Sequence, residues 1–75
     1  MNNNDRYTIA QRRDPLEAAA LAIEYSAGCG SKSAAWTWAD RAVFAASLAG
    51  VTLDPGSLSW PELESMQRQL DEAQP

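Results

Sequence analysis

The chain has 75 residues, a net charge of −4, no histidine and one cysteine. These values exclude an internal disulfide and Cys/His metal sites, and a core this small supports a multi-part active site poorly. We therefore expect a single-domain, non-catalytic protein with no cofactor, located in the cytoplasm, where thiols stay reduced.

The sequence predicts neither a secretory signal nor a membrane span. The opening stretch, "MNNNDRYTIAQRRD", has no apolar core. The longest uncharged apolar-rich run covers residues 42–53, which is 12 residues, whereas a span needs about 20. We expect a protein that does not enter membranes.

Residues 1–13 are interpreted as an extended, basic and polar N-terminal arm. Three arginines against one aspartate give this arm +2, and the remaining three bases against nine acids give residues 14–75 a charge of −6. A solvated tail is typical of such a composition. Tyr7 and Ile9 are the residues that could hold part of it against the body.

The stretch "DPLEAAALAIEYSAG" predicts a first helix over about residues 15–27. Asp14 is the expected N-cap, Pro15 suits the first helical position, and Glu17 completes a capping-box pattern. Gly28 is expected to close the helix in the left-handed conformation, and Gly30 to permit a further reversal.

The following "SAGCGSKS" resembles a phosphate-binding loop only superficially. Ser26 and Ser31 stand where a Walker A loop needs glycines, and a helix precedes the loop in place of a strand. Cys29 has no histidine to act as its base. We interpret the stretch as a turn between helices, with Ser31 or Ser33 as the next N-cap.

A second helix is predicted over about residues 34–49, with Gly50 at the C′ position and Val51 folding back on the last turn. Its small-residue face should pack closely on the alanine-rich first helix, as an antiparallel hairpin. In the loop that follows, Pro55-Gly56 favours a type II turn, and Leu53 and Leu58 are expected in the core.

A third helix is predicted over about residues 60–73, with Ser59 as N-cap. Its apolar stripe consists of Leu63, Met66, Leu70 and Ala73. Its acidic face consists of Glu62, Glu64, Asp71 and Glu72. The predicted fold is all-α, a small three-helix bundle with an extended N-terminal arm.

The outer face of the second helix is the candidate binding site, because Phe44 lies in the middle of a polar sector. An aromatic residue framed by polar side chains is typical of an interface. The candidate partner-binding residues are Trp36, Thr37, Asp40, Arg41, Phe44 and Leu48. The alternative is that helix three, Trp60, Tyr7 or Ile9 covers the apolar members as part of the core.

We interpret the chain as a non-catalytic regulator or inhibitor that covers a surface of a larger protein or protein complex. Small acidic helical chains of this type resemble accessory proteins that phages and mobile elements encode, including inhibitors of CRISPR effectors, although no motif matches one family along its length. The alternatives are a homodimer or other structural homo-oligomer, and a nucleic-acid mimic using the acidic face. Direct nucleic-acid binding would require a basic helix, whereas the second helix carries only Arg41 and Lys32 as bases.

Overall fold

The computed structural model describes residues 2–54, 56, 65–69 and 72. They form helices α1 (Asn3–Arg13), α2 (Pro15–Ala27) and α3 (Lys32–Leu48), and residues 65–69 and 72 are also helical. Helix α1 packs on α2, and α2 packs on α3. The predicted all-α three-helix bundle is confirmed, and within this part of the chain no helix combines the length and apolarity that a membrane crossing needs.

The N-terminal segment corrects the sequence-based prediction, because residues 3–13 are a helix and not an extended arm. Asn2 caps this helix: its side-chain oxygen accepts the Asp5 N–H at 2.9 Å. Acidic Asp5 in the first turn and two arginines in the last turn complement the helix dipole. Tyr7 and Ala10 are buried in the common core, so α1 is one of the three packed helices.

A single residue, Asp14, separates α1 from α2. Its backbone N–H donates to the Ala10 carbonyl at 2.7 Å and so closes α1. Its carboxylate accepts the Leu16 N–H at 3.1 Å and so caps α2. The predicted N-cap, Pro15 at the helix start and the range Pro15–Ala27 are confirmed.

The turn between α2 and α3 forms without a left-handed glycine. Gly28 has φ −90, whereas the described glycines with positive φ are Gly50 and Gly56. The prediction of a left-handed Gly28 was therefore wrong. Ser31 is the N-cap, accepting the Ala34 N–H at 3.2 Å. Helix α3 therefore begins at residue 32, two residues earlier than predicted, and ends at residue 48, one residue earlier than predicted.

The end of α3 is a Schellman motif. Gly50 has φ 80, its N–H donates to the Ser47 carbonyl at 3.0 Å, and the Val51 N–H donates to the Ala46 carbonyl at 2.9 Å. These bonds confirm Gly50 at C′ and the folding back of Val51. Leu53 is buried just beyond, as predicted.

The C-terminal part is described at fewer positions. Gly56 has φ 56, as the predicted type II turn requires. Met66 is fully buried and is the largest such side chain in the described part of the chain, in agreement with its predicted place on the apolar stripe. Pro55, Leu58 and the other stripe residues lie outside the described residues.

The α2–α3 contact is built from alanines. Seven of them are fully buried: Ala18, Ala19, Ala22, Ala39, Ala42, Ala45 and Ala46. Side chains this small let two helix backbones approach closely. Near the turn, the buried hydroxyl of Ser26 donates to the Ala35 carbonyl at 2.8 Å and links the two helices.

Two glycine substitutions test the role of backbone conformation at the end of α3. We expect Gly50→Ala to lower the free energy of unfolding by about 1–2 kcal/mol, because a Cβ is strained at positive φ. Gly30→Ala is the matched control, since a Cβ meets open space at both sites and Gly30 has no positive φ. It should leave stability unchanged or slightly higher. Urea denaturation followed by circular dichroism measures both, and equal losses would contradict the assignment.

Candidate functional site

Five of the six predicted partner-binding residues lie in one stripe along α3. Their spacing of i, i+3, i+4, i+7 and i+11 places them on one helix face: Thr37, Asp40, Arg41, Phe44 and Leu48. Phe44 is 53% exposed and Leu48 is 54% exposed. The arrangement of α1 therefore leaves both side chains largely open to solvent, and Tyr7 and Ile9 do not cover them. Trp60, the other candidate cover, lies outside the described residues.

Hydroxyl groups on the same face are bonded back to their own helix. The Thr37 hydroxyl donates to the Ser33 carbonyl at 3.1 Å, and the Ser47 hydroxyl donates to the Phe44 carbonyl at 2.6 Å. Because these donors already have acceptors, covering the face with another protein would not leave them unpaired. Asp40 is exposed and remains a solvated charge.

Arg41, one of the predicted binding residues, is half-buried and also makes contacts within the molecule. Its guanidinium carbon lies 4.4 Å from the centre of the Trp38 ring, and its Nη1 donates to Asn4 Oδ1 at 2.6 Å. Its backbone carbonyl accepts the Tyr7 hydroxyl at 3.1 Å. Arg41 thus joins α1 to α3, and a substitution there would disturb the fold as well as any binding.

Trp38 is the centre of a buried aromatic cluster beside this face. The Tyr7 and Tyr25 rings pack edge-on against it, with centroid distances of 5.9 Å and 4.9 Å. Trp36 is half-buried, and its position two residues earlier on α3 turns it about 160° away from Trp38. Trp38 is therefore a core residue, whereas Trp36 is only partly covered.

The two tyrosines of the cluster differ in their hydroxyl groups. Tyr7 donates to the Arg41 carbonyl, but the buried Tyr25 hydroxyl has no hydrogen-bond partner within the described part of the chain. Burial raises the pKa of the Tyr7 phenol above its usual value of 10.0, and the nearby Arg41 charge offsets part of that rise. An unpaired buried hydroxyl costs stability, so Tyr25 carries a penalty that Tyr7 avoids.

A groove that was not predicted from the sequence lies between α1 and α2. Its lining residues are Arg6, Ile9, Ala10, Arg13, Glu17 and Leu21. Ile9 is 47% exposed and is the third large apolar side chain on the surface of the described part. A helical interpretation of residues 3–13 would have found this groove, because positions 6, 9, 10 and 13 share one helix face.

The remaining predicted features are placed as follows. Glu72 of the acidic face is helical and exposed, while Glu62, Glu64 and Asp71 lie outside the described residues. Cys29 is half-buried with its Sγ 3.1 Å from the Tyr25 carbonyl oxygen. In residues 2–54, 56, 65–69 and 72, no three Cys, Asp or Glu side chains are grouped so that they could hold a metal ion.

Comparisons with known proteins give no match to a protein family, to a curated protein or to a solved structure.

Removing each hydroxyl of the aromatic cluster tests this description. We expect Tyr7→Phe to lower the free energy of unfolding by about 1 kcal/mol, because a buried hydrogen bond is lost. Tyr25→Phe removes only an unpaired hydroxyl, so stability should stay constant or rise. Chemical denaturation of the two variants under identical conditions compares them directly. A larger loss for Tyr25→Phe than for Tyr7→Phe would contradict the assigned bonding.

Because the pKa of Tyr7 is raised in the folded state, its contribution to the free energy of unfolding must fall at high pH. Below the unfolded pKa, near 10, the phenol is neutral in both states and its contribution to stability is complete. As pH rises through the folded pKa, the phenol ionises in the folded state also and that contribution is lost. We expect the stability advantage of the wild type over Tyr7→Phe to be constant from about pH 8 to about pH 9, and to shrink between about pH 9 and about pH 11. Denaturant midpoints measured across this range test the expectation, and a constant advantage would refute it.

Proposed function

We propose that this chain is a small non-catalytic regulator or inhibitor that covers a surface of a larger protein, using the exposed face of α3. One observation carries the proposal: Phe44 and Leu48, one helical turn apart, are 53% and 54% exposed. The opposite side of α3 is occupied by the alanine contact with α2. The exposed side is therefore the one on which this helix can accept a partner.

The composition of the face fits an interface. Phe44 and Leu48 form an apolar centre, and polar residues with internally bonded hydroxyls or solvated charge surround it. Interfaces commonly have such an apolar core and polar rim, and a few central residues contribute most of the affinity.

The dimensions of the helix also fit. Helix α3 has 17 residues and is about 25 Å long. A standard interface of about 800 Å² per partner would cover about one sixth of the 4520 Å² that the molecule exposes. A partner would therefore contact most of the length of α3, including the exposed side chains of Thr37 and Asp40.

The proposal places the protein in the cytoplasm, where the free thiol of Cys29 would stay reduced. It includes the type of inhibitor that phages and mobile elements encode against CRISPR effectors and other host machinery. Such inhibition by surface coverage requires a complementary face and no catalytic group, which is what the α3 face offers.

Truncating the apolar centre tests the proposal. We expect Phe44→Ala combined with Leu48→Ala to weaken binding to the target about tenfold or more, since central interface residues are often worth about 2 kcal/mol each. Alanine favours helix, so the fold should persist by circular dichroism. Glu24→Ala is the control: it truncates an exposed side chain on α2, outside both the α3 face and the groove between α1 and α2. The wild type, the double alanine variant and the control variant are each used for affinity capture from lysate of the source cells. Titration of the captured protein then measures its affinity for each.

The outcomes are distinguishable. A protein captured by the wild type and by Glu24→Ala, but lost with the α3 variant, supports the proposal. Light scattering after size exclusion identifies the alternative, a homo-oligomer: the wild type would be a dimer and the α3 variant a monomer. A monomer that captures nothing, or equal losses in the α3 variant and the control, would refute a specific binding face on α3.

A further inference from the structure

The groove between α1 and α2 combines an apolar floor with a basic rim. Ile9, Ala10 and Leu21 provide the apolar surface, and Arg6 and Arg13 lie on the same side of α1. The two arginines are seven residues apart, which corresponds to about 10.5 Å along a helix. Every lining residue belongs to α1 or α2, so the groove is separate from the α3 face.

The volume of the groove indicates what can occupy it. It measures about 240 Å³, below the range of about 300–1,000 Å³ that is common for small-molecule sites. A space of this size suits one large apolar side chain inserted from a partner, as at the centre of many protein interfaces.

The charges around the groove define the partner further. Residues 3–13 carry Arg6, Arg12 and Arg13 against Asp5, whereas residues 14–75 carry −6. The groove is thus bordered by the basic helix of an otherwise acidic protein. Carboxylates placed about two helical turns apart, on both sides of an apolar residue, would meet Arg6 and Arg13 together.

Arg13 is already paired, but weakly. Its Nη2 lies 2.8 Å from Glu17 Oε1, and the two side chains are 66% and 42% exposed. An ion pair this exposed contributes little to stability, so Arg13 can exchange Glu17 for a partner carboxylate at low cost. Glu17 itself would repel an acidic partner.

We propose that this groove binds an acidic amphipathic helical segment of another protein, with an apolar side chain inserted between Arg6 and Arg13. A symmetric pairing of two copies through the groove would bring together four arginines and only two glutamates, an excess of positive charge that is unfavourable. A long nucleic acid would meet the acidic remainder of the molecule. A short acidic helix avoids most of that repulsion, because distant charges are screened beyond about 8 Å at physiological salt.

The test uses the full chain and two synthetic helical peptides in fluorescence anisotropy. One peptide carries leucines at every third or fourth position between glutamates, and the other carries lysines in place of the glutamates. We expect the acidic peptide to bind and the basic peptide not to bind. Arg6→Glu should weaken binding about tenfold or more. Arg12→Glu is the matched control, because it makes the same charge change on α1 outside the groove.

Two further variants sharpen the result. Glu17→Gln should tighten binding of the acidic peptide, because it releases Arg13 and removes a like charge. The double alanine variant at Phe44 and Leu48 should bind the acidic peptide as the wild type does, so this test can fail or succeed independently of the proposal for α3.

Several results would overturn the assignment of an acidic helical partner. These are the absence of acidic-peptide binding at millimolar peptide, equal binding of the basic peptide, and equal losses for Arg6→Glu and Arg12→Glu. A dimer that dissociates with Arg6→Glu would make a second copy the occupant. Binding to phosphatidylglycerol vesicles in place of the peptide, lost with Arg6→Glu, would make a membrane surface the occupant.

Discussion

The close approach of α2 and α3 along their alanine faces is the contact on which the rest of the structure depends. Alanine side chains are small enough to let the helices come together, but each buries little apolar area. Larger side chains at the margins of this contact must therefore supply much of the burial, among them Trp38 of α3 and Met66 of the C-terminal part. Because one side of α3 is committed to alanine contacts, its bulky residues Phe44 and Leu48 remain on the other side.

Helix α1 completes the bundle through few but well-placed contacts. A helix of 11 residues is marginal in isolation, since helices shorter than about 12–15 residues rarely persist alone in water. Asp14 ties the end of α1 to the start of α2. Tyr7 and Asn4 reach across to Arg41 of α3. Helix α1 lacks a broad apolar face, and these three links hold it in the bundle instead.

The difference between local and distant contacts explains what the sequence could predict. Asp14 as a cap and Gly50 at C′ act on residues within a few positions, so their roles follow from short sequence patterns. The sequence named Tyr7 as a residue that could hold the N-terminal segment against the body. Its contacts with Trp38 and with a carbonyl 34 residues away follow from no local pattern in "NNNDRYTIAQRR". For the same reason the sequence offered Arg41 only as a partner-binding residue, although its guanidinium lies over the Trp38 ring. The α3 stripe was predictable because helical spacing alone places Phe44 and Leu48 together, whereas the groove needed the helical structure of α1.

Folding residues 3–13 into a helix changes the meaning of their charge. In an extended tail, Arg6 and Arg13 would be two separate cations, but on α1 they border one apolar groove. The groove and the α3 face then differ in physical character. Attraction at the groove would depend on charge and weaken with added salt, whereas the centre of the α3 face is apolar and depends little on ionic strength. If both proposals hold, a fold this small would present two surfaces that select partners by different forces, because the arginines lie on α1 and the exposed aromatic and aliphatic side chains lie on α3.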